Sequence, residues 1–99
     1  ISNWEEIKAK EKGRTSAVDG VALSQPALSL VNKLLYRAEK YKVELDLPSH
    51  SEESATEDSV GEALLAVIAW AHQNGIDPEN ALRKQGRLLI GEIERKEAR

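Results

Sequence analysis

Glu57, Asp58 and Glu62 are the residues of this chain whose types and spacing best suit chemistry. Asp58 and Glu62 lie four apart on a predicted helix, and side chains so spaced share a helix face. With Glu57 assisting from the neighbouring turn, they could hold one magnesium ion, which demands oxygen ligands in near-octahedral order. A cation held there would neutralise phosphate charge and activate water. A plainer reading stands beside this one, since acidic residues in the first turn of a helix ordinarily complement its dipole.

Other candidates are weaker. Glu52 and Glu53 lie in an acidic stretch without helical spacing, which reads as a solvated loop rather than a cation site. Trp70, and less so Trp4, could stack on a nucleotide base, but the apolar neighbours of Trp70 favour a core or subunit-interface role. His72 falls in the last turn of its helix, where an imidazolium meets favourable carbonyl charge, and His50 falls in the acidic stretch; neither has a companion at metal spacing. Ser49, Ser51, Ser54 and Ser59 have no Gly-x-Ser-x-Gly elbow or paired base.

The elements that must position these residues are helical. Asn3 caps a short predicted helix that Gly13 stops, and residues 14–25 read as a connecting loop. From Pro26 to about Lys42, Ala27, Leu30, Val31, Leu34, Leu35, Ala38 and Tyr41 recur at steps of three and four, with Asn32, Lys33, Arg37 and Lys40 on the other side. Residues 44–62 hold seven acidic residues and no lysine or arginine, and the middle of this stretch, Pro48 to Ser54, reads as a mobile linker. Thr56 caps a helix that runs to about Asn74 before Gly75 and that should be buried on most sides. Asp77-Pro78-Glu79 restarts a helix whose inward face is Ala81, Leu82, Leu88, Leu89 and Ile93, weakened by Gly86 and Gly91. The expectation is an all-α fold: a small antiparallel bundle of three to four helices, completed by dimerisation.

Composition narrows the function. The 99 residues, 40% apolar, suit one domain close to the size at which a single core becomes marginal. Having no cysteine excludes disulfides, thiolate metal sites and a cysteine nucleophile, and makes the cytoplasm the default compartment. The net charge of −3 lacks the basic excess of phosphate-backbone binders, so nucleic acid is not an expected partner. The apolar run from Ala63 to Ala71 is about half of the ~20 residues that span a bilayer, so no membrane role is expected. Methionine is absent even at position 1, which reads as a fragment or a processed chain.

Two stretches carry a family resemblance. Asn3 to Arg14, followed by Ser16-Ala17-Val18-Asp19-Gly20-Val21 and Gln25-Pro26-Ala27-Leu28, looks like the start of the second half of MazG-type nucleoside triphosphate pyrophosphohydrolases. Val60-Gly61-Glu62-Ala63-Leu64-Leu65 and Gly75 to Arg83 are similar to that family's second metal-helix region and the helix after it. The resemblance implies an all-α hydrolase that assembles as dimers or larger oligomers and, with magnesium, converts nucleoside triphosphates to monophosphates and diphosphate.

The chain departs from the family pattern where the chemistry lies. The family's Glu-Glu-x-x-Glu cluster has no counterpart, and its Glu-x-x-Asp motif aligns as Ser59-Val60-Gly61-Glu62. Glu62 alone then remains as a plausible direct ligand. The aligned stretch Lys84 to Glu92 also lacks the asparagine, second lysine and arginine pair that should bind nucleotide phosphates. The resemblance therefore implies residues 1–25 as a short helix and interdomain connector, and residues 26–99 as a MazG-like helical domain with its acidic linker at about 44–56. As the C-terminal module, it would be mainly structural and dimerising, its partners a second copy and the N-terminal MazG domain of the parent chain. The alternatives are a magnesium-dependent pyrophosphohydrolase acting on nucleoside triphosphates through Glu62, Asp58 and Glu57, and a non-enzymatic helical adaptor.

Overall fold

The computed structural model describes residues 16–50 and 54–98. Among the described residues three helices form: α1, Ala27–Lys40; α2, Glu57–Gln73; and α3, Pro78–Glu97. The described residues contain no strand, so the all-α expectation holds. The short helix expected near Asn3, Trp4, and Glu52 and Glu53 lie outside the described residues. Among those described, no helix is long and apolar enough to cross a membrane.

Helix α1 starts behind Pro26, which has no side chain able to cap it. The cap comes instead from α3: a Glu79 carboxylate oxygen accepts the Ala27 amide at 2.7 Å. At its other end, Val43 donates its amide to the Ala38 carbonyl at 2.8 Å and Lys42 to that of Glu39 at 3.2 Å, the two bonds of a Schellman stop. Lys42 holds the left-handed position of that stop, at φ 59°, where glycine is the usual occupant because a Cβ is disfavoured there.

Helix α2 begins as its sequence predicts. Thr56 Oγ1 accepts the Ser59 amide at 3.0 Å while Ser59 Oγ accepts the Thr56 amide at 2.9 Å, a reciprocal capping box. Its stop uses Gly75 at φ 66°, with Ile76 donating to Ala71 at 2.9 Å. Asp77 then caps α3 through its carboxylate, with Pro78 in the first turn.

The order is up, down, up. Ala27 meets Glu79 and Leu30 meets Gly86, so α1 and α3 run in the same direction, and the short turn after Asn74 sends α2 the opposite way. The core gathers Leu30, Leu34 and Ala38 of α1, Ile93 of α3, and Ala17 and Val21 of the leading loop, with Val43, Leu45, Leu89 and Ile90 packed around them. Helix α2 contributes nothing to it.

Three expectations require correction. Helix α2 is not buried on most sides: Ala71 is its one buried residue, and Leu64, Leu65, Val67, Ile68 and Trp70 are exposed. The loop, α1, α3 and the segment after α1 close the core without it. The inward face of α3 excludes Ala81 and Leu88, which are exposed, and includes Gly86, which is buried. The missing side chain lets Leu30 approach: a Cβ at Gly86 would stand 3.4 Å from Leu30 Cδ2. Arg37 does not sit with the solvent-facing polar residues of α1 but is 3% exposed. Its guanidinium donates to the carbonyls of Ala17 at 3.1 Å and Asp19 at 2.8 Å, satisfying loop groups that packing removes from water. Glu97 fixes the same loop from α3, accepting the Ser16 hydroxyl at 2.6 Å and the Ala17 amide at 2.9 Å.

The acidic stretch is ordered where it leaves α1. Val43 and Leu45 pack on the core, and the Asp46 amide donates to Glu92 at 2.8 Å. Lys96 donates to the Glu44 carbonyl and pairs with Glu92 at 3.0 Å. This strap returns the chain along α3 before it reaches α2.

Candidate functional site

Helix α2 presents two surfaces that could serve a function, one acidic and one apolar. The acidic one is its first two turns. Glu57 and Asp58 follow the Thr56 cap, where negative charge complements the exposed amides of the helix start. Glu62 lies one turn beyond Asp58 on the same face, and all three are exposed.

Ser59, which aligns with the first ligand of the family motif, is engaged in the capping box. Its hydroxyl accepts from the Thr56 amide and donates to the Thr56 carbonyl at 3.1 Å. Among the described residues no group of three carboxylate or imidazole side chains is close enough together to hold a metal ion. Asp58 and Glu62 alone fall short of the ligand shell that magnesium takes from protein and substrate oxygens. His72 and His50 are both exposed and belong to no such group.

The apolar surface is a groove of about 800 Å³ between α2 and the start of α3. Leu64, Val67, Ile68 and Trp70 line it from α2, Ala81 and Leu82 from α3, and Leu28 of α1 and Ile76 of the turn complete the apolar lining. Trp70 is 69% exposed, so within one chain it is not a core residue. The Asn74 amide group donates to its carbonyl at 2.8 Å. Polar groups at the rim are few: Asn74, Gln85 and Glu79, the last already holding Ala27 and paired with Arg83 at 2.8 Å. The apolar stretch from Ala63 to Ala71 was the one sequence signal for this groove, and it points equally to a buried helix.

A carboxylate with a clearly displaced affinity for protons lies elsewhere among the described residues. Glu92 is held below its ordinary value of 4.5, first by the Asp46 amide and then by Lys96. The Asp46 amide belongs to the strap, and Lys96, one turn along α3 from Glu92, also donates to the Glu44 carbonyl of the strap, which gives Glu92 a structural role.

Over part of their lengths, the chain is similar to two nucleoside triphosphate pyrophosphohydrolases and to one uncharacterized protein. It is 44% identical over 50 residues to a nucleoside triphosphate pyrophosphohydrolase of Mycobacterium tuberculosis, a match covering 50% of this chain and 14% of that protein. It is 28% identical to the nucleoside triphosphate pyrophosphohydrolase/pyrophosphatase MazG of Thermotoga maritima over 95% of this chain and 44% of that protein. An uncharacterized 26.1 kDa protein of Streptomyces cacaoi is 42% identical over 83% of this chain and 32% of its own length. The chain thus spans less than half of each of these relatives. No protein-family model and no solved structure matches it.

Proposed function

We propose that this chain is a helical module of a MazG-type nucleoside triphosphate pyrophosphohydrolase, corresponding to the second half of that family's proteins, and that it supports and pairs the assembly rather than performing hydrolysis. The observation that carries the reading is the division of α2. The side on which ligands would stand has Ser59 occupied in a cap and two exposed carboxylates, while its opposite, apolar side lies uncovered. The partial similarity to two pyrophosphohydrolases supports the family, and with it a divalent metal in the reaction. Residues 26–99 form the module, in a cytoplasmic protein, and residues 1–25 lead into it. Its partners are a second copy and the N-terminal MazG domain of the parent chain.

The rival reading has Glu62 and Asp58, helped by Glu57, hold magnesium and hydrolyse nucleoside triphosphates in this same chain. Magnesium titration separates the two. Following the backbone amides of residues 57–62 by NMR, we expect only the shallow, unsaturated shifts of charge screening. A saturable site that disappears in Glu62→Ala would overturn the structural reading.

A further inference from the structure

We propose that Asn74 is a site of spontaneous covalent modification: when the end of α2 opens, its side chain closes onto the Gly75 amide and loses ammonia, and the acidic residue left behind loosens the junction of α2 with α3. The inference is independent of the function proposed above.

The pair Asn74-Gly75 has the residue types this chemistry needs. A backbone amide nitrogen that gives up its proton to solvent base can attack the carboxamide carbon of the asparagine before it. A five-membered imide forms as Nδ2 takes a proton and leaves as ammonia. Water then opens the ring. Cleavage at the side-chain carbonyl gives aspartate, whereas cleavage at the backbone carbonyl gives isoaspartate, in which the main chain runs through Cβ and Cγ. One water is consumed and one ammonia released. Glycine matters because a Cβ on the attacking residue crowds the ring. Asn32 and Asn80 precede Lys33 and Ala81 and lie inside helices, so they serve as internal references.

The folded turn exposes Asn74 and Gly75 to water but holds them short of reaction. At ψ 10° for Asn74, the Gly75 nitrogen is nearly eclipsed with the nitrogen of Asn74 and turned away from Cγ. Three hydrogen bonds keep it there. Asn74 Nδ2 donates to the Trp70 carbonyl at 2.8 Å, the Gly75 amide to that of His72 at 3.2 Å, and the Ile76 amide to that of Ala71 at 2.9 Å. The last two are the bonds of a Schellman stop, so ring closure requires the stop to open. It closes a helix whose one buried residue is Ala71, and sparsely packed helix ends open at little cost. Modification is therefore slow in the closed turn and proceeds through the open one.

The product cannot restore the stop. A carboxylate at position 74 has no proton to donate to the Trp70 carbonyl, and its charge stands at the negative end of the α2 dipole. Isoaspartate also lengthens the main chain by a methylene, which puts the Gly75 and Ile76 amides out of register with His72 and Ala71. Because α2 adds nothing to the core, this turn governs how it lies beside α3, and Asn74 stands on the rim of the groove the two helices share.

The 99-residue chain, aged in mildly alkaline buffer and followed by peptide mapping with mass spectrometry, tests this. Asn74 should convert to aspartate and isoaspartate, the latter detected by enzymatic methylation, with ammonia released in step and Asn32 and Asn80 intact. Guanidinium should speed the conversion at least about tenfold. Ile76→Pro, which removes one donor of the stop, should speed it without denaturant; if circular dichroism shows that this variant has lost its helices, the guanidinium comparison decides. In Asn74→Asp, the Gly75 and Ile76 amides should exchange with water about two- to fivefold faster than in the parent chain, as a charge opposed to the dipole implies, while those of Leu34 and Ile93 are unchanged. Asn74 persisting in the folded chain while it converts in guanidinium overturns the site. Equal rates with and without guanidinium, or a folded Ile76→Pro no faster than the parent, overturn the gate, and unchanged exchange in Asn74→Asp overturns the loosening.

Discussion

Glu79 caps a helix to which it does not belong: from the first turn of α3 it accepts the buried amide of Ala27, 52 residues earlier in the chain. It also pairs with Arg83, which donates to the carbonyls of Leu23 at 2.9 Å and Gln25 at 3.1 Å. One carboxylate and one guanidinium thus tie the start of α1 to the start of α3.

Replacing that carboxylate should be costly for a partly exposed residue. Glu79→Ala leaves the Ala27 amide without an acceptor, and a lost cap is worth about 1–2 kcal/mol. Urea unfolding should show that loss, with Arg83→Ala having the smaller effect.

Arg37 should matter more. Arg37→Met keeps much of the buried volume but abandons two loop carbonyls, which predicts a loss of about 2–3 kcal/mol. Lysine lacks the planar fork that reaches both carbonyls, so Arg37→Lys should recover only part of the melting temperature.

Glycine positions should split by location. Lys42→Gly relieves a left-handed backbone and should stabilise by up to about 1 kcal/mol. Gly86→Leu must displace Leu30 and should destabilise by about 1–3 kcal/mol or more. Thermal melts of the two variants should therefore move in opposite directions.

Low pH should loosen the strap first. The Glu92 carboxylate is stabilised in the fold by the Asp46 amide and Lys96, so its contribution is full above the ordinary carboxylate range and is lost as pH falls through its lowered value. Amide exchange at Asp46 should accelerate there, and Glu92→Gln should remove that pH dependence.

Both ends of α2 and the start of α3 were legible in the sequence because caps are local: Thr56, Gly75, Asp77 and Pro78 each act within a few residues of themselves. What escaped was long-range. Arg37 fits the polar face of α1 by period, and only the docked loop at Ala17 and Asp19 gives its guanidinium a reason to be buried. Gly86 looked like a weakness in α3 until Leu30 filled the space beside it. For α2, the apolar content of residues 63–71 states that a face gains by burial, not which element covers it, so the expectation of a buried helix failed within the chain. Of the candidate site, the shared face of Asp58 and Glu62 was readable from spacing, whereas the occupation of Ser59 by its cap required the geometry.

The central claim is that this chain supplies structure while hydrolysis belongs to another part of the assembly. Its most direct test is release of diphosphate from a panel of nucleoside triphosphates in millimolar magnesium, comparing the 99-residue chain with Glu62→Ala at equal concentration. The account predicts no turnover above background by either; turnover by the chain that Glu62→Ala abolishes would contradict it.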